Sequence, residues 1–199
     1  MSYQFLLTPY FLDKEKPELL RIQEKNWQLN KPNVTANTVF ERIKEVHNSL
    51  QPAVKNILAK GEVPVSMGGD CCMAIAVLSA LQQNGISPIV LWLDAHGDFN
   101  TDEITISGFL AGMALAMISG RGDQQLLESA GAKNIPDTDI ILSDARDLDP
   151  AEKELIESRR RERAGAHRRH LPARGNVIAV SGKPGIGVAE IGVTVLSYR

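Results

Sequence analysis

The sequence predicts an α/β fold built on a mostly parallel sheet. Three segments, VPVSMG, SPIVLWLD and TDIILSD, are short, apolar and almost continuous, which is typical of strands that are covered on both faces. The segments between and after them have the length and apolar spacing of helices. Because strands and helices alternate along the chain, an α/β domain is the simplest fold that they can form.

The individual elements follow from their residues. The aromatic start YQFLLTPYFLD predicts a first strand, with Pro9 placing it toward an edge or a loop. Thr38 and Glu41 form a capping box before an amphipathic helix that we expect to kink at Pro52. Three further helices are predicted over MAIAVLSALQQNG, GFLAGMALAMISG and DPAEKELIES.

Composition excludes several classes of protein. With 43% hydrophobic and 23% charged residues among 199, the chain has ordinary globular usage rather than that of a disordered tail. We expect neither a membrane span nor a signal peptide, since no apolar run or basic start of the required kind occurs. The two cysteines, Cys71 and Cys72, are adjacent and suit a reduced compartment, so we expect a cytoplasmic protein.

The charge of the chain changes abruptly near residue 158. Residues 1–158 carry 13 Lys and Arg against 22 Asp and Glu, whereas residues 159–199 carry 9 against 2. Seven arginines fall between Arg159 and Arg174. We therefore divide the chain into an α/β domain at 1–158 and a basic, atypical segment at 159–199.

Three alternatives for the basic segment are only weakly supported. Its arginine cluster could bind nucleic acid or another polyanion, but no aromatic residue is interleaved with the arginines, and we expect no nucleic acid among the partners. GKPGIGVAEIG is similar to a phosphate loop, although neither Ser nor Thr follows its lysine. His167 and His170 could contact a metal, but a solvated helix face is the simpler interpretation.

Potential metal ligands follow the apolar segment SPIVLWLD. Asp94, His96 and Asp98 are spaced two apart, and alternate residues of an extended segment point in the same direction. Ligands of open α/β sheets bind beyond the carboxyl ends of the strands, where these residues lie. Two carboxylates and an imidazole suit Mn²⁺, Zn²⁺, Fe²⁺ or Mg²⁺. The alternative is that Asp94 caps a helix and His96 is a loop histidine.

Four motifs, in order, resemble the arginase, agmatinase and formiminoglutamase family, the ureohydrolases. They are MGGDC at 67–71, LDAHGDFNT at 93–101, SGFLAGM at 107–113 and ARDLDPAE at 145–152. The resemblance covers residues 1–157 and implies a three-layer α/β/α domain with a binuclear manganese centre. It also implies a homo-oligomer that cleaves a C–N bond of a small linear guanidine or amidine with a metal-bridging hydroxide, and releases urea or formamide.

The resemblance also gives the metal ligands individual roles. Asp94 would bridge the two ions, His96 would bind one of them and Asp98 the other. Cys71 stands where the family usually has a metal-binding histidine. Its thiolate is a softer ligand that shifts the preference toward Zn²⁺ or Fe²⁺, and the helix that we expect Cys71 to open would lower its pKa. The alternative is that Cys71 binds no metal and serves as a small apolar residue in a tight turn.

Substrate contacts follow from the same resemblance. Asn100 and Ser107 match positions that contact the amino-acid end of the substrate in arginases, and Asp149 matches one that reaches the α-amino group. Phe109 replaces an asparagine, and Ala111 replaces a histidine that shuttles protons. These two departures argue against arginase itself more than against the family, and they leave the choice among arginine-, agmatine- and formiminoglutamate-like substrates open.

A later Ser-x-Asp-x-Asp motif, which supplies two further metal ligands in the family, is missing because no aspartate follows Asp149. We therefore expect incomplete metal occupancy, a sheet without its last strands, and a chain that aggregates or is inactive. The composition of residues 159–199 is typical of a GC-rich gene read in the wrong frame, and we interpret this segment as a frameshift product.

Two other functions remain open. One is a catalytically dead arginase-like protein that binds or oligomerises without turning over a substrate. The other is a metallophosphoesterase, since Asp94-x-His96 followed by Gly97 also opens the metal site of that family. A metallophosphoesterase needs a later Gly-Asn-His-Glu motif, which this sequence lacks.

Overall fold

The computed structural model describes residues 2–164, 176–182 and 191–198. Their strands are β1 Tyr3–Leu7, β2 Tyr10–Phe11, β3 Lys14–Glu15, β4 Gln28–Leu29, β5 Val63–Gly68, β6 Pro88–His96, β7 Ile140–Asp147, β8 Asn176–Gly182 and β9 Ile191–Tyr198. Their helices are α1 Val39–Ala59, α2 Met73–Gln83, α3 Ala114–Ile118, α4 Gln125–Ser129 and α5 Pro150–Ala164. Within these ranges, no helix has the length and apolarity that a bilayer crossing requires.

Seven strands form one sheet in the order β4-β1-β5-β8-β9-β6-β7. β1 is parallel to β4 and β5, β5 is parallel to β8, and β6 is parallel to β7. Only β9 is antiparallel to both of its neighbours in this described sheet. The predicted α/β fold with a mostly parallel sheet is therefore confirmed, and its architecture is the three-layer α/β/α arrangement.

Two strands of the sheet come from the basic segment 159–199. β8 pairs with β5, and β9 pairs with β6, so they join β4-β1-β5 to β6-β7. The domain boundary at 158 and the frameshift stay predictions. The side chains of the arginine cluster, His167, His170 and most of the glycine-rich stretch lie outside the described residues.

The core lies between the sheet and its helices. α1 begins after Thr38, whose Oγ1 accepts the N–H of Glu41 at 3.2 Å, and it continues through Pro52 as one helix. α2 packs against α1, α3, β6 and β8. Every residue from Met73 to Leu81 is buried as a result. Each large apolar side chain buried in this way contributes about 1.5–3 kcal/mol.

The apolar segment 108–120 departs from the single helix that its composition predicts. It forms a 3-10 turn at Leu110–Met113 and then the short helix α3. The carbonyl of Gly112 accepts the N–H of Asn100, and the carbonyl of Asp98 accepts two N–H groups near the start of α3. These tertiary hydrogen bonds replace helical ones and fasten the segment to the end of β6.

Candidate metal centre

A cavity of about 240 Å³ opens where β5, β6 and β7 end. All the site residues predicted from the sequence line it, namely Cys71, Asp94, His96, Asp98, Asn100, Ser107 and Asp149. Parallel strands bring their carboxyl ends to one edge of a sheet, which explains why residues distant in sequence meet there. The expected location of the site therefore agrees with the fold.

Cys71, Asp94 and Asp98 converge inside this cavity. The Sγ atom and one carboxylate oxygen of each aspartate lie within 4.8 Å of one another. Asp98 has a φ of 47°, a left-handed conformation that ends the extended run of β6. Cys71 lies in the turn before α2, which begins only at Met73. Three donor atoms at these separations fit a single divalent ion.

Asp98 is the strongest indication that a cation belongs here. It is 5% exposed, and its Oδ2 has no hydrogen-bond partner among the described residues. Burial raises its pKa to about 7, and the neighbouring Asp94 carboxylate acts in the same direction, whereas a hydrogen bond with Cys71 acts against both. A buried oxygen without a partner costs free energy, and a bound cation would satisfy it.

His96 lies beside this cluster. Its Nδ1 is 3.2 Å from Oδ1 of Asp94, and its Nε2 is 3.7 Å from Oδ2 of Asp147. The pairing of β6 with β7 shifts register between Asp94 and His96. The three-donor cluster contains Asp94 and Asp98 but not His96, so two-residue spacing does not bring all three predicted ligands to one point. The role of His96 as a metal ligand stays a prediction.

Asn100 and Asp149 contact each other in the same cavity. The Nδ2 of Asn100 donates to Oδ2 of Asp149 at 3.0 Å. The Oδ1 of Asn100 is buried and has no partner in the part of the chain that the structure describes. Ser107 is exposed, and its Oγ accepts the N–H of Phe109 at 3.2 Å. The predicted substrate residues thus divide into a partly buried, hydrogen-bonded pair and an exposed serine.

Two buried carboxylates line the cavity to which the sequence analysis assigned no role, although Asp70 belongs to the MGGDC motif. Glu152 accepts two backbone N–H groups, one of them from Asp149, and burial raises its pKa. Asp70 accepts the N–H groups of Leu12 and Cys72, and burial raises its pKa to about 6. The signal for Glu152 was present, because a glutamate three residues after Asp149 completes a capping box at the start of α5.

The fold and the cavity define an α/β/α protein that gathers a thiol and carboxylates at the carboxyl edge of its sheet. The family described as the arginase family matches residues 15–173. The chain belongs to the arginase family. This membership takes precedence over the metallophosphoesterase interpretation.

Known arginases resemble this chain over part of their length. Arginase from Staphylococcus aureus (strain COL) is 33% identical over 117 residues, which are 59% of this chain and 38% of that protein. Arginase from Bacillus caldovelox is 34% identical over 118 residues, with 59% and 40% covered. The crystal structure of arginase from Bacillus cereus superimposes with a TM-score of 0.63 at 26% identity, covering 80% of this chain and 62% of that one. The chain therefore spans about two fifths of the curated relatives that it matches.

Proposed function

We propose that this chain is a metal-dependent hydrolase that cleaves a non-peptide C–N bond of a linear guanidine or amidine and releases urea or formamide. The observation that carries the proposal is the convergence of Cys71, Asp94 and Asp98, with the Oδ2 of Asp98 buried and without a partner among the described side chains. A hydrophobic core position would not hold such a group. A cation site explains it.

The donor set decides which metal fits. Two carboxylates suit the Mn²⁺ that the family resemblance implies, and the Cys71 thiolate favours Zn²⁺ or Fe²⁺. A divalent ion supplies, when bound, a Lewis acid that lowers the pKa of water toward neutrality. We assign one ion to this cluster. His96, between Asp94 and Asp147, is our candidate ligand for the second ion of a binuclear centre.

The remaining cavity residues would hold the substrate. The guanidinium group is cationic, and the carboxylates of the cavity attract it. The Oδ1 of Asn100 and the carboxylate of Asp149 both accept hydrogen bonds, so they fit an N–H donor on the ligand. This arrangement would orient the substrate while the metal cluster faces its reacting carbon.

Metal content tests the cluster. The purified chain is loaded with Mn²⁺, Zn²⁺ or Fe²⁺ separately, and bound metal is measured by elemental analysis across a titration. We expect tight binding that weakens by about 100-fold or more in Asp94→Asn and in Asp98→Asn. The matched control is Asp102→Asn, which changes an exposed aspartate outside this cavity and should keep the metal. Unchanged metal content in both cluster variants would rule out the site.

Product release tests the reaction. Arginine, agmatine and formiminoglutamate are supplied to the metal-loaded chain, and urea or formamide is measured against the Asp94→Asn background. Product above that background supports the hydrolase. Metal binding without product from any of them supports our second candidate, a catalytically silent arginase-like binding or oligomerising protein. One observation favours this candidate: a single three-donor cluster occurs among the residues described.

A further inference from the structure

The cavity carries further carboxylates beside the three donors of the metal cluster. Asp147, Asp149 and Glu152 line it, and neither Lys nor Arg does so within the described part of the chain. The Asn100 amide is held by its Nδ2, which donates to Asp149, so it presents its Oδ1 as an acceptor. Asn100 is 9% exposed, and this oxygen lacks a partner among the described groups. A ligand that donates N–H bonds fits these acceptors.

An aromatic pair forms another part of the lining. The rings of Phe11 and Phe109 stack with their centroids 6.0 Å apart and their planes at 18°. Aromatic faces attract methylene groups and cations, but they offer no hydrogen bond to a carboxylate. The hydroxyl groups of Thr105 and Ser107 are neutral donors, and Ser107 is exposed to water. The described lining therefore has no cationic partner for a negatively charged ligand.

We infer that Phe109, stacked on Phe11, is a specificity-determining residue, and that the cavity selects a linear guanidine or amidine whose far end carries a second cation and no carboxylate. This inference rests on the proposed function and deepens it. An α-carboxylate would enter a cavity lined by Asp149 and Glu152, whose carboxylates would repel it. It would also lose water without gaining a charged partner from the described lining.

Arginine and agmatine differ by one carboxylate and therefore separate these alternatives. Each is titrated calorimetrically into the full chain at saturating Mn²⁺. We expect the wild-type chain to bind agmatine about tenfold or more tightly than arginine. In Phe109→Asn the ratio should fall to about threefold or less, because an amide donor replaces the ring. Phe109→Leu should weaken agmatine binding but keep the preference, since it restores no donor.

Phe5→Leu is the matched control. Phe5 is also half-buried and stacked, on Trp27 at 5.0 Å, but it does not line the cavity. The Phe5→Leu variant should have the same ratio of agmatine to arginine affinity as the wild-type chain. Thermal melts of each variant distinguish a lost preference for agmatine from a lost fold. The ratio of agmatine to arginine affinity in the wild-type chain tests the inference without any substitution.

Several outcomes overturn the inference. The inference is wrong if the wild-type chain binds arginine as tightly as agmatine or more tightly. It is also wrong if the chain binds neither compound. An unchanged ratio in folded Phe109→Asn removes the role of Phe109. The proposed hydrolysis is tested by a different result. If the chain prefers agmatine but releases no product, only the proposed hydrolysis is overturned. If it releases urea but shows no preference for agmatine, only this inference is overturned.

Discussion

The cavity has two sides that use the same type of residue in different environments. What we call the buried side comprises the buried Asp70 and Asp98 and the half-buried Cys71 and Asp94, at the ends of β5 and β6. The exposed side comprises Ser107 and Asp147, and the Asp147 side chain is 81% exposed. β6 lies inside the sheet, between β9 and β7, while β7 is its edge strand. Position in the sheet therefore decides which carboxylates lose their water.

This difference explains why the buried carboxylates have the greater need for a cation. A buried carboxylate that loses water needs another partner, and the Oδ2 of Asp98 has none among the described residues. Asp147 keeps its contact with water, so it gains less from a cation. Residue type alone does not distinguish Asp98 from Asp147, since both are aspartates. The environment of each carboxylate does.

The largest expected effect concerns Gly69, which supports the buried side. A Cβ atom there would lie 2.4 Å from the carbonyl oxygen of Tyr10, and that neighbour is backbone rather than a movable side chain. We expect Gly69→Ala to lower the free energy of unfolding by about 3 kcal/mol or more. Gly112→Ala is the control, because its Cβ would meet only a Phe109 ring carbon, at 3.9 Å. Urea denaturation measures both, and equal costs would contradict the close approach.

The next effect concerns Asp70, which joins the chain around Leu12 to the start of α2. Its oxygens accept the N–H groups of Leu12 and Cys72 at 2.7 and 2.9 Å. We expect Asp70→Ala to cost about 3 kcal/mol because two N–H groups lose their partners. Asp70→Asn keeps one acceptor and should cost less. If both variants unfold at the wild-type urea concentration, these hydrogen bonds do not hold the buried side together.

A buried histidine outside the cavity tests the same effect of burial on a base. His47 lies in α1, and burial lowers its pKa from 6.5 to about 4. The unfolded chain gains this proton below pH 6.5, whereas the folded chain gains it only near pH 4, so acid favours unfolding across that interval. Compared with His47→Leu, the wild-type chain should lose about 2–3 kcal/mol between pH 6.5 and pH 4. If the free energy of unfolding of the two chains changes equally with pH, this prediction is wrong.

Much of the fold could be predicted because apolar continuity reflects burial on both faces of a strand. β5, β6 and β7 all begin within two residues of the apolar segments that predicted them. The 108–120 segment could not be predicted, since its helix is interrupted by hydrogen bonds to Asn100 and Asp98, which lie earlier in the chain. Composition carries no information about such tertiary partners.

The candidate site was predicted in part for a related reason. Sequence spacing placed Asp94 and Asp98 together because both lie at the end of β6, and family resemblance added Cys71. His96 lies beside this cluster rather than in it, next to a register shift between β6 and β7 that the spacing of β6 alone does not contain. The capping-box pattern after Asp149 indicated Glu152, but its burial could not be predicted because it depends on how α5 packs.

The smallest expected effect concerns Ile106, between two residues that line the cavity. Ile106 is 77% exposed, so it buries little apolar surface despite its size. We expect Ile106→Ser to change the free energy of unfolding by no more than about 0.5 kcal/mol and to leave metal affinity unchanged. Urea denaturation and metal titration check this against Leu115→Ser, a fully buried position that should cost several times more. A large cost at Ile106 would mean that the loop beside Ser107 is packed, and the contrast between a buried and an exposed side of the cavity would no longer hold.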